Sequence, residues 1–299
     1  MTVLIPTHGR PTLLKRTLAS LAACELPASY KELIVIENGS RDGAEKLVND
    51  LPERLNARYM HRKRGNKSYA LNEALETIED GLVVFFDDDV RVGAETLIAY
   101  AESANGLTTS AESHFFGGRF LVEHEESPPD WMLPYLPPSA KGCWYEGGDE
   151  VDKSFTDFLG FNWAAYVDDI REAGGFNVDK GPGAPSGSTG QETDMQKRLV
   201  ASGVKAHYVE SAVVTHYVPS ESCTPEWALK RSFRSGVKDG IDYAAKNKSN
   251  RTPLWLIKAR MNDFFYYMSG LFSNKKRYDA KYWGMYHKGF YSGIKHNRS

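Results

Sequence analysis

Along the first hundred residues, short apolar runs alternate with stretches whose apolar residues recur every three or four positions. Val3–Ile5, Leu33–Ile36 and Val83–Phe86 are continuous runs bounded by turn residues, and each reads as a buried strand. A more polar run at 57–61 reads as another. Between them, Leu13, Leu14, Leu18, Leu21 and Ala22 share one helical face, and Ala70, Leu71, Ala74, Leu75 and Ile78 share a second. Residues 43–51 and 93–104 complete the helices. Repeated βα units of this length predict an α/β domain, a mostly parallel sheet covered on both faces. Ligands gather at the carboxyl ends of strands in such sheets. Residues 6–10, 37–42 and 87–89 all lie at such ends, so they are read as parts of one site.

Beyond residue 104 the pattern loosens. Residues 122–144 hold five prolines and read as a long irregular segment, and 181–190, "GPGAPSGSTG", as a second loop ahead of a helical "QETDMQKRLVASG". Both segments flank acidic residues, as lids over a site would. Residues 225–299 read as a helical extension, so the expected organisation is a sheet domain over 1–222 and an extension over 223–299.

Composition adds two constraints. Cys24, Cys143 and Cys223 are widely spaced with no metal-binding pattern, as in a reducing compartment. No run approaches the roughly 20 apolar residues of a membrane span, and no signal stretch is recognised, so the expected location is cytoplasmic. The net charge of −2 hides an asymmetry: residues 1–224 hold 21 Lys and Arg against 34 Asp and Glu, and residues 225–299 hold 16 against 5. The same tail carries 15 of the 36 aromatic residues. A basic aromatic surface suits anionic lipid or a lipid-linked acceptor at the inner face of a membrane, giving possible peripheral contact. Nucleic-acid binding uses the same residue types but is not expected here, and helices packing their aromatics on one another are the competing explanation.

The chemistry centres on Asp87, Asp88 and Asp89, directly behind the Val83–Phe86 run. Three carboxylates there repel one another and need a cation, backbone donors or open water. In an extended strand end Asp87 and Asp89 point the same way, and two hard oxygen ligands suit Mg²⁺ or Mn²⁺. A solvated acidic turn is the other reading. Arg64 and Lys67 precede a helix and form either an anion site or a solvated basic turn.

Seven segments in order, "VLIPTHGRP", "LIVIENGSRDG", "RGNKSYALNEAL", "VVFFDDDV", "AGGFN", "TGQETDMQKRLVASG" and "VVTHYVP", resemble glycosyltransferase family 2 across residues 2–220. The resemblance implies a GT-A fold, a nucleotide-diphosphate sugar donor, a divalent metal (Mn²⁺ or Mg²⁺) and inversion at the anomeric carbon, with a UDP-sugar favoured. The expected acceptor is a saccharide or lipid-linked hydroxyl in polysaccharide or glycolipid assembly. The Asp triplet matches the DxD element: Asp89 holds metal, Asp87 faces ribose or metal, and Asp88 lies among the donor contacts. His216 corresponds to a histidine brought to the metal or diphosphate. Pro6, Thr7 and Arg10 fall in the loop that meets base and phosphates, and Glu37 or Asn38 in the turn that reads the base, where the family more often has Asp. Gly118, Asn162 and Trp163 match positions near the donor sugar and acceptor. The family's catalytic Glu-Asp pair is replaced by Gln191 and Glu192, which makes Glu192 the candidate base and Asp194 its rival, the latter equally readable as a helix N-terminal charge. A retaining transferase and a sugar-nucleotide-binding module without transfer activity are the alternatives.

Overall fold

The computed structural model describes residues 1–107, 112–142, 158–185, 187, 189–248, 251–269 and 273–296. Cys143 and part of each irregular segment lie outside these residues. Cys24 and Cys223 are unpaired and buried.

The chain runs β1 (Thr2–Thr7), α1 (Pro11–Leu21), β2 (Glu32–Asn38), α2 (Ala44–Asn49), β3 (Ala57–Arg62), α3 (Lys67–Glu76), β4 (Leu82–Phe85), β5 (Val90–Val92) and α4 (Thr96–Gly106). It continues through β6 (His114–His124), α5 (Pro138–Lys141), β7 (Trp163–Tyr166), α6 (Val167–Glu172), α7 (Gln191–Ala201) and β8 (Lys205–Val218). Three helices follow: α8 (Pro225–Asn247), α9 (Leu254–Ser269) and α10 (Asn274–His296). Contacts divide this chain into two units. The first comprises Met1–Glu123, Pro138–Val178 and Gln191–Val218, and the second His124–Pro137, Asp179–Gly190 and Pro219–Ser299.

In the first unit eight strands form one sheet in the order β3-β2-β1-β4-β7-β6-β8-β5. β1 to β4 pair in parallel, and β7 joins β4 antiparallel. Strand alternation then sorts the core into two layers. Val3, Ile5, Leu33, Val35, Val84 and Phe86 pack against α1, α2 and α4 on one face. Leu4, Ile34, Ile36, Val83 and Phe85 pack against α3, α6 and α7 on the other. This explains why the strands read as unbroken apolar runs. β5 was not expected from the pattern: it has three residues, Val-Arg-Val, and exists because β8 offers it an antiparallel partner.

The second unit is built on close helix contact. A Cβ on Gly236 would lie 2.1 Å from the carbonyl of Tyr286, and one on Gly240 2.2 Å from that of Phe290. Gly289 and Gly293 of α10 meet the carbonyls of Phe233 and Val237 at 2.0 and 2.2 Å in the same sense. Residue numbers rise together on both helices, so α8 and α10 run side by side in one direction. Bare backbone on both sides lets them approach closer than side chains permit. Ser232 adds a hydrogen bond to the Tyr282 carbonyl at 2.8 Å. α9 rests on this pair through Leu256, which is buried with Phe290 and Ile294.

Candidate active site

The parallel strands deliver the candidate residues to one edge of the sheet. Thr7 closes β1 in register with Glu37 of β2, and the Asp triplet follows β4. The strand ends at Phe85 and the chain turns at Asp88 and Asp89, so strand alternation does not govern the three carboxylates. Each takes a different partner. Asp87 accepts from Lys67 Nζ at 2.5 Å. Asp88 is fully buried, accepts from the Thr7 hydroxyl at 2.7 Å and meets Arg10 Nη2 at 2.6 Å. Asp89 meets Arg10 Nη1 at 2.7 Å. The expected convergence of Asp87 and Asp89 is therefore replaced by a convergence of Asp88 and Asp89 on the Arg10 guanidinium.

The electrostatics follow from burial and pairing. Burial pushes the Asp88 carboxyl up to about 6, with Arg10 pulling the other way and Asp89 adding to the rise. Burial works to lower Arg10 and Lys67, but the neighbouring carboxylates outweigh it and raise both. For Lys67 those carboxylates are Asp87, Glu192 and Asp89. Arg10 and Lys67 thus stay cationic beside the acidic cluster.

His216 lies on β8 directly across from Val90, and the Tyr217 N–H donates to the Asp89 carbonyl at 2.8 Å. Its Nδ1 is 2.9 Å from the Ser139 carbonyl, and its ring stacks on Phe161 at 4.4 Å. A carbonyl only accepts, so Nδ1 carries a proton toward Ser139, and the other ring nitrogen, Nε2, is turned to the Asp triplet. That nitrogen is 3.7 Å from Asp89 Oδ1, a buried oxygen without a hydrogen-bond donor. Either a proton on Nε2 or a bound cation satisfies an imidazole nitrogen and a carboxylate oxygen placed this way. No group of three His, Cys, Asp or Glu side chains among the described residues encloses a metal by itself, so ligand oxygens would have to complete such a site.

The acidic pair on α7 separates cleanly. Asp194 is held by Arg198, with Nε and Nη2 at 3.0 and 2.9 Å, and the same guanidinium donates to the Ala173 carbonyl. Glu192 lies over Gly160, where a Cβ would come within 3.1 Å of its Cδ, and it acts electrostatically on Lys67. The bare glycine accommodates the longer side chain.

Other expected contacts are occupied by the fold. Glu37 is buried and accepts from the Asp42 N–H at 2.6 Å and the Tyr59 hydroxyl at 2.5 Å. It organises the turn, so both carboxylate oxygens are already engaged by the protein. Asn38 Oδ1 accepts from the Asn66 N–H at 2.6 Å, and Asn66 in turn caps α3 through the Tyr69 N–H at 3.0 Å. Asn162 uses its whole amide internally, donating to the Arg119 and Ala212 carbonyls at 2.8 and 2.9 Å and accepting from the Tyr100 hydroxyl at 2.8 Å. Trp163 is buried and stacked on Phe85 at 4.6 Å. Gly118 makes room for protein, since a Cβ there would fall 2.1 Å from the Ala212 carbonyl. Asn162, Trp163 and Gly118, expected near the donor sugar, thus spend these groups on the protein itself. Pro6 is a buried member of β1, and Arg64 is exposed. Tyr59, Ser139, Gly160 and Phe161 were not singled out in the sequence; their roles depend on long-range neighbours.

An α/β sheet with an acidic cluster behind its fourth strand is the arrangement of the GT-A fold. The Glycosyl transferase family 2 model matches residues 2–164, and the chain belongs to that family. Among solved structures, the mannosyltransferase PcManGT from Pyrobaculum calidifontis, in complex with GDP-Man and Mn²⁺, is 19% identical with a TM-score of 0.57. That likeness covers 84% of this chain and spans 65% of the mannosyltransferase. S. aureus TarS 1-349 in complex with UDP-GlcNAc is 14% identical with a TM-score of 0.56, over 99% of this chain and 91% of that one. No curated protein matches the chain by sequence.

Proposed function

We propose that the protein is an inverting glycosyltransferase that moves a sugar from a nucleotide-diphosphate donor, a UDP-sugar in preference, to a hydroxyl of a saccharide or glycolipid acceptor. The observation that carries this reading is the 3.7 Å approach of His216 Nε2 to the buried, donor-free Asp89 Oδ1, beside the cations Arg10 and Lys67. Asp89 and His216 would hold a divalent metal, and an oxygen–imidazole donor set suits Mn²⁺ at least as well as Mg²⁺. Such a metal supplies charge neutralisation for a departing diphosphate. Asp87 is assigned to orienting Lys67. UDP-GlcNAc and GDP-Man bound by the fold neighbours support a nucleotide-sugar donor of this kind.

The chain's own residues account for the rest of the reaction. Glu192 accepts the acceptor hydroxyl's proton while that oxygen forms its bond to the anomeric carbon. The bond from the same carbon to the diphosphate oxygen breaks, and the electron pair leaves with the nucleoside diphosphate. One displacement inverts the centre. Asp194 is unsuited to the proton because Arg198 already engages its carboxylate. Arg10, half-exposed, presents guanidinium N–H groups to a phosphate while staying fixed by Asp88 and Asp89.

The test is a calorimetric screen of nucleotide-diphosphate sugars with and without Mn²⁺, followed by assignment of the product's anomeric configuration. A metal-dependent donor and an inverted product are expected. Retention of configuration would overturn the single displacement.

A further inference from the structure

Helix α9 presents an apolar stripe that its own unit does not cover. Leu254, Ile257, Met261, Phe264 and Met268 recur at alternating steps of three and four, which places them on one face of an α-helix. All are exposed, Phe264 at 62% and Leu254 at 76%, and Phe265 beside them at 63%. The opposite side is the one that packs: Leu256 is buried with Phe290 and Ile294, Trp255 lies against Phe290, and Asp263 pairs with His287 at 2.6 Å. The exposed side is therefore not a core face awaiting its helix. Five large apolar side chains in one row form a patch well beyond scattered surface residues.

Charge decides what covers it. The stripe has the spacing of a coiled-coil seam, so a second copy is one conceivable occupant. The charged residues flanking the seam are Lys258 and Arg260, both exposed. Two copies paired along this seam would meet with flanking charges of a single sign and no acid to answer them. Arg260 also lies over the ring of Tyr291 at 5.8 Å, and Lys295 is 5.5 Å from that ring on the same helix. An anionic surface complements all these cations at once. The helix has 16 residues, and among the described residues none is long and apolar enough to cross a membrane. Its apolar row, flanking cations and Tyr residues match a helix lying in the interface plane.

We propose that α9 docks the protein onto a bilayer containing anionic lipid, with Leu254, Ile257, Met261, Phe264, Phe265 and Met268 entering the acyl boundary and Lys258 and Arg260 meeting headgroup phosphates. This docking does not depend on the donor chemistry: it stands or falls on unit-two residues alone.

Sedimentation of the full chain with vesicles tests it. Vesicles of equal parts phosphatidylcholine and phosphatidylglycerol should bind the protein, and pure phosphatidylcholine should bind it at least ~10-fold less. The combined substitution Met261→Ser, Phe264→Ser and Phe265→Ser should lower binding to the mixed vesicles by ~10-fold or more, and Lys258→Gln with Arg260→Gln should abolish the preference for anionic lipid. All five positions are exposed, so circular dichroism should show unchanged helix content in both variants. Equal sedimentation of wild type and the serine variant would overturn the proposal. So would absence of binding to mixed vesicles, or a concentration-dependent dimer in light scattering that the serine substitutions dissolve, which would assign the face to a second copy.

Discussion

Glu192 and Asp194 stand two residues apart on one helix turn and differ in what holds them. Arg198 fixes Asp194, whereas Glu192 faces the Lys67–Asp87 group. Glu192→Gln should leave donor affinity within about twofold and reduce transfer by at least ~10²-fold, read as kcat with donor binding measured separately. Asp194→Asn should retain most transfer and lower stability by up to ~1 kcal/mol, the scale of a partly exposed ion pair. Asp88 makes a second residue-scale prediction. Its folded-state value of about 6 lies above the ordinary 3.8, so the folded protein holds this proton more tightly than the unfolded chain. The contribution is complete below the unfolded value and is lost as pH rises through about 6. Taking metal-free protein from pH 7 to pH 5 should therefore stabilise wild type by on the order of 1 kcal/mol relative to Asp88→Asn, measured by urea titration. A larger gain in the variant would contradict burial as the dominant cause.

At the scale of elements, the α8–α10 contact is the least forgiving. Gly236→Ala places a Cβ 2.1 Å from a backbone carbonyl that cannot swing aside. The helices must separate, at a cost of about 1–3 kcal/mol, and thermal unfolding should show the loss while helix propensity alone predicts a gain. Gly203, with open space around it but φ of +92°, should resent alanine for conformational reasons instead. Most of the elements themselves were legible in the sequence. Leu33–Ile36 and Val83–Phe86 declared buried parallel strands because both their faces are covered, and the face shared by Ala70, Leu71, Ala74 and Leu75 declared α3. β5 was hidden because three residues carry no period and take their conformation from β8. The contact of Gly236 and Gly240 with Gly289 and Gly293 was not read from the sequence, because spacing alone does not say which helices meet. Within the site, the loops holding Thr7, Arg10 and the Asp triplet could be located from strand ends alone. Their pairing could not, because the turn after Phe86 decides which carboxylate meets which cation. The internal contacts of Asn162 and Trp163 were hidden for a related reason: an amide and an indole look equally suited to a sugar or a core until their neighbours are known.

For the whole molecule, ligand binding and stability are linked. A donor held with a metal by Asp89 and His216, as proposed, would stabilise the folded chain by about 2.7 kcal/mol at a hundredfold excess over its dissociation constant. Addition of Mn²⁺ with the correct donor should raise Tm, EDTA should reverse the rise, and Asp89→Ala should eliminate it. A Tm rise in Asp89→Ala equal to wild type would remove Asp89 from the metal assignment. The acidic body and basic tail add a salt effect of their own, since exposed cations such as Lys258 act over only about 8 Å at physiological ionic strength. The glycine contact has one more consequence. Because α8 and α10 lock through their backbones, most letters of α9 are released from any duty in folding. Evolution can rewrite that helix as one changes the sole of a shoe. Relatives that work at a different surface should keep Gly236, Gly240, Gly289 and Gly293 while exchanging the row from Leu254 to Met268 for polar residues.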